Sequence, residues 1–118
     1  MGSVERIKNV AARVAKWHRA GYNMVVVPSA MSGETNRLIG LAKEIQSQPD
    51  PRELDMLACT GEQVSVGLLA MALKAIGVDA VSYAGWQLPV RTDNAYTKAR
   101  ITGIETDKVH RDLQQAKV

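Results

Sequence analysis

Apolar positions along the first twenty residues recur at helical spacing: Val4, Ile7, Val10, Ala11, Val14 and Ala15 share one face. Glu5, Lys8, Arg13 and Lys16 occupy the other. The spacing predicts a helix over 4–20, with Ser3 as its cap and Gly21 as its end. Residues 24–27, MVVV, form a continuous aliphatic run, as expected of a strand buried on both faces, and Pro28 stops it. The small-residue string SAMSGETN follows as a loop. Leu38, Leu41, Ala42 and Ile45 give a second amphipathic stripe, predicting a helix over 35–47.

Pro49-Asp50-Pro51 marks a break, and Leu54, Leu57 and Ala58 lead into Gly61. Val64, Leu68, Leu69, Met71, Ala72, Leu73 and Ile76 then predict a helix over 62–76 that is apolar nearly all round, with Gly77 as its cap. Residues 80–84 read as a second core strand, parallel to 24–27 and reached by a right-handed crossover. Thr92-Asp93-Asn94 reads as a turn. Alternation over 95–101 predicts a half-exposed strand of a hairpin. Thr106 caps a last helix through Val109 and Leu113, and Lys117-Val118 has the character of a strand's first step. The expected fold class is α/β: a parallel sheet core with flanking helices and a β-hairpin.

Composition narrows this picture. The 118 residues suit one domain. Phe is absent and aromatics are 4%, so the core must be aliphatic. The net charge of +3 is spread along the chain without a basic stripe or interleaved aromatics, which argues against nucleic-acid binding. Cys59 is the sole cysteine and excludes a disulfide framework, as suits a reducing cytoplasmic compartment. His18 and His110 stand far apart, so no metal site is expected. No signal peptide and no apolar run of membrane-spanning length are read, so no membrane association is expected.

The chemistry concentrates in two strings, VVVPSAMSGETN and TGEQVSVG. In the first, a strand ends in small residues (Ser29, Ser32, Gly33) before Thr35 and a helix. It reads either as a plain strand-to-helix turn or as a cradle for a carboxylate or phosphate. In the second, Glu62 is predicted in the first turn of a helix, where an acid is either a dipole partner or an acceptor for an ammonium group. No dinucleotide, P-loop or nucleophile-elbow fingerprint occurs.

Taken together, SAMSGETN, GEQVSVGLLAMAL and GWQLPVRTDNAYTKARI resemble the aspartokinase family. The likeness covers the whole chain and corresponds to the N-terminal part of a catalytic domain with the amino-acid kinase fold. It implies transfer of the γ-phosphoryl group of ATP, with Mg²⁺, to the side-chain carboxylate of L-aspartate, the first step towards lysine, threonine and methionine. It also implies that Thr35 and Glu62 bind aspartate, that Ser32 and Gly33 line the same loop, and that the working enzyme is a homo- or hetero-oligomer.

Members of that family open with a strand carrying Lys-Phe-Gly-Gly-Thr-Ser. They continue into a nucleotide-binding half and ACT regulatory domains. None of these is present here. The expectation is therefore a partial amino-acid kinase domain over 1–118, without catalytic or ATP-binding residues of its own and inactive in isolation. The competing expectation is a non-catalytic α/β fragment or interaction module. A third is an amino-acid kinase acting on another acidic substrate.

Overall fold

The computed structural model describes residues 1–118: four helices and one hairpin. Helix α1 spans Val4–Arg19, α2 Glu34–Ile45, α3 Pro51–Ala75 and α4 Asp107–Gln114. Strands β1, Val90–Thr92, and β2, Ile101–Ile104, pair antiparallel as a two-stranded sheet.

The helix ends follow from local chemistry. Ser3 Oγ accepts the Arg6 N–H at 3.2 Å, and Gly21, with φ of 97°, turns the chain out of α1. Asp50 accepts the Glu53 N–H at 3.1 Å, with Pro51 in the first turn of α3, where its missing N–H costs nothing. The Pro-Asp-Pro break is therefore a helix start. α3 begins eleven residues earlier than its apolar stripe predicts and passes through Gly61 without interruption. At 25 residues it is also long and apolar enough to span a membrane by length and composition, contrary to the reading of the sequence. In this fold it is a packing helix instead, with Gly61, Ser65, Leu69 and Leu73 buried along one face.

Ile7, Ala11, Val14 and Ala15 of α1 pack with Leu69 and Leu73 of α3 and with Val78 and Ala80 beyond it. Each large aliphatic side chain buried there stabilises the fold by ~1.5–3 kcal/mol. α2 lies on the other flank of α3, with Leu38 as its buried residue.

The expected parallel pairing of 24–27 with 80–84 does not form: the hairpin is the sheet that the backbone builds. The two runs both line one apolar cavity of about 580 Å³, together with residues of α3 and α4. The run 24–27 is also not buried on both faces. Met24 and Val26 lie against the core, whereas Val25 and Val27 are 63% and 91% exposed. A parallel contact does form at the chain end. The Val81 N–H donates to the Val118 carbonyl at 2.9 Å, and the Val118 N–H donates to the Asp79 carbonyl at 3.0 Å. That is the slanted bonding of parallel strands about Ala80, as the strand character of Lys117-Val118 predicts.

The hairpin sits later in the sequence than its alternation suggests. Residues predicted to begin the second strand, Ala95 to Lys98, form the turn, closed by Asp93. Thr106 does precede α4, but its hydroxyl makes no capping bond.

Candidate functional site

The connection from residue 28 to α2 meets the middle of α3. The contact depends on Gly61. A Cβ added there would lie 3.0 Å from Ala30 Cβ, so any larger residue would press the loop outward by a few tenths of an ångström. One residue on, the Glu62 carboxylate reaches back and accepts the Ala30 N–H at 3.3 Å. Glu62 is half-buried and lines the apolar cavity beside Cys59, Gln63 and Val66. This carboxylate is thus held at the rim of a cavity by a backbone donor from the loop that it faces.

The position corrects the expected origin of Glu62's properties. It stands in the interior of α3, whereas the favourable field of a helix terminus fades within the first turn. Its placement comes from loop packing. The signal for this was the glycine before it, since a glycine inside a helix marks a close approach.

The rest of the loop is ordered by its backbone. Gly33 caps α2 with φ of 80°, a left-handed conformation suited to glycine, and makes no side-chain capping bond. Thr35 is therefore not the cap. It lies in the first turn of α2 with its side chain exposed. Ser32 is exposed as well, and its N–H donates to the Met1 carbonyl at 2.8 Å. Glu34 forms a two-pronged pair with Arg37, at 2.6 and 3.0 Å, which holds the Glu34 carboxyl below its usual range through that hydrogen bond. The structure therefore brings Glu62 to the loop through Ala30. Ser32, Gly33 and Thr35 follow on the same connection, and no hydrogen bond joins Thr35 to Glu62.

A second polar group, missed by the sequence reading, stands on the cavity wall. The Tyr83 hydroxyl donates to Asp112 of α4, and Lys117 Nζ lies 3.5 Å from the same carboxylate. Lys108 Nζ stands 4.6 Å from the centre of the Tyr83 ring. Burial, then the bond to Asp112, pushes the Tyr83 phenol up to about 12. The Tyr83 bond and then the nearby Lys117 and Lys108 charges hold Asp112 below the usual carboxylate range, against burial, which raises it. These residues are 29 positions apart in sequence, and no local pattern links them.

Comparison with known proteins gives this geometry its context. The amino acid kinase family matches the chain over residues 1–118. An aspartate kinase of Stutzerimonas stutzeri is 56% identical across the whole chain, which spans 29% of that relative. Aspartokinase 2 of Bacillus subtilis is 48% identical over the same stretch, again 29% of the relative. The crystal structure of aspartate kinase from Synechocystis superposes with a TM-score of 0.81 at 39% identity, covering 99% of this chain and 19% of that one. A family match that runs from the first residue to the last, on a backbone shared with a solved member, shows that the chain belongs to the amino acid kinase family.

Proposed function

We propose that these residues are part of an aspartate kinase and supply part of its aspartate-binding site. The single observation that carries this reading is the Glu62 carboxylate, held at a half-buried rim against the Ala30 amide. A carboxylate so placed keeps lone pairs free for an α-ammonium group. The loop after Ala30 offers the Ser32 hydroxyl and the backbone of Gly33 for a carboxylate, and the first turn of α2 offers the Thr35 hydroxyl. The aspartokinases among the relatives support aspartate as the amino acid.

The parallel sheet core belongs to this proposal too. The hydrogen bonds of Val118 with Val81 and Asp79, and the cavity that both aliphatic runs line, support further strands in a chain of the relatives' length. ATP and Mg²⁺ would serve that longer chain. The residues present do not fit the nucleotide: no glycine-rich turn gathers amides for a triphosphate, and without its phosphates Mg²⁺ has no partner to bridge. No phosphoryl-transfer step is assigned to this chain's own side chains.

The test separates the two jobs of Glu62. Isotope-labelled chain is titrated with L-aspartate and with succinate, which lacks the ammonium group, while amide shifts of residues 29–36 are followed. Aspartate is expected to bind about ten- to a hundredfold tighter, the worth of a hydrogen bond between charged groups. Glu62→Gln keeps an acceptor for Ala30 and should erase that preference. Equal binding of the two ligands to the wild-type chain, or shifts confined to other residues, would sink the assignment.

A further inference from the structure

The hairpin is built stiffly and attached sparsely. Asp93 Oδ1 accepts the N–H groups of Ala95 at 3.0 Å and Arg100 at 3.3 Å, fixing the turn from inside. Arg91 pairs with Glu105 across the base. Neither strand packs against a helix. At the tip, however, the Thr97 N–H donates to Asp55 Oδ2 of α3 at 2.8 Å, bridging 42 positions of sequence. Arg52, one turn earlier on α3, faces Tyr96 of the same tip.

Thr97 has φ of 65°. A β-branched residue avoids this left-handed conformation, and such strain persists only where the surroundings hold it. The Asp55 carboxylate is the contact from outside the turn, added to the Lys98 N–H bond to the Ala95 carbonyl at 2.8 Å within it. On α3, Asp55, Cys59, Glu62 and Val66 follow at spacings of four, three and four and so share a face. The last three line the cavity.

We propose that the β1–β2 hairpin, whose lead-in residues Gly85, Trp86 and Leu88 line the cavity, is a flap held against α3 by a tether from Asp55 to the backbone of Thr97. Docked, it stands at the N-terminal end of the face that carries Glu62. Asp55 is a positioning residue and touches no ligand. The tether is independent of what the cavity binds.

The sole cysteine provides the probe. Cys59 is exposed and one turn from Asp55, so a nitroxide attached there reports on anything docked beside it. In the wild-type chain the amides of Ala95, Tyr96 and Thr97 should be broadened. Asp55→Ala should restore their intensity, shifting the docking equilibrium about tenfold towards the free flap, as for a lost hydrogen bond to a charged group. Amide shifts of the α1–α3 core should stay in place. Asp55→Asn retains an acceptor oxygen and should give an intermediate loss. Thr97→Gly relieves the strain and keeps the N–H, so broadening should persist. Broadening that is absent from the wild type, unchanged in Asp55→Ala, or lost as fully in Asp55→Asn as in Asp55→Ala overturns the tether. Should the alanine variant fail to fold, the asparagine and glycine variants decide alone: undiminished broadening in Asp55→Asn, or its loss in Thr97→Gly, rejects the proposal.

Discussion

Gly61 and Glu62 divide one task. The glycine removes the side chain that would hold the loop away, and the glutamate binds the loop that then arrives. Gly61→Ala sets two effects of similar size against each other. Alanine favours a helix interior by ~1 kcal/mol over glycine, while its Cβ presses on Ala30. The expected outcome is a stability change within about 1 kcal/mol in urea titration, accompanied by displaced amide shifts at Ala30 and Met31. A large stability loss with an undisturbed loop would contradict this division. In an enzyme of the relatives' length, Glu62→Ala should raise KM for aspartate, leave that for ATP unchanged, and exceed the effect of Thr35→Val. The reason is that Thr35 offers only an exposed, neutral hydroxyl.

Among the elements, α4 depends on polar chemistry where α1 and α3 depend on apolar packing. It buries no residue fully, and it is linked to the 80–84 run by the Tyr83–Asp112–Lys117 group and by the Val118 backbone pairing that follows it. Asp112 titrates lower in the folded chain, so its contribution is present above the ordinary value of 3.8 and is lost as pH falls through that value towards the folded one. Tyr83 titrates higher, so its contribution is complete below 10 and is lost as pH rises towards about 12. Lys108, Arg111 and Lys117 are the cations around them. Docking of α4 should therefore be flat across neutral pH and weaken at both extremes, followed by the amide shifts of Val109 and Leu113. Tyr83→Phe should shift those amides even at pH 7. Leu73→Ala, by contrast, should cost ~2–5 kcal/mol in urea unfolding at any of these values, because it opens a void between α1 and α3.

The elements differ in the same way in how legible they were. α1 is written in one stripe with a cap at each end, and it forms as read. α3 was half legible. Its apolar half announced itself, but the first turns were hidden by two prolines that read equally well as an interruption or a start. The run 24–27 looked buried because Val is apolar, yet burial depends on what lies across from it. Nothing local to MVVV states that. Asp55 and Thr97, like Tyr83 and Asp112, meet only through the fold, so no spacing rule could pair them.

At the scale of the whole molecule, the chain measures 49 × 33 × 14 Å with a radius of gyration of 16.1 Å. A compact chain of this length would have about 13–14 Å. X-ray scattering should return the larger value. The shortest dimension, 14 Å, is less than half of either of the others. Only 12 of the 118 residues are buried, so Val25, Val27, Met71 and Trp86 face water. Thinness has a calorimetric consequence. The heat capacity of unfolding reports the apolar surface newly wetted, and here much of that surface is wet already. The increment should fall well below the ~12–15 cal/mol/K per residue of ordinary domains, giving a shallow stability curve whose melting spreads over a wide span of temperature.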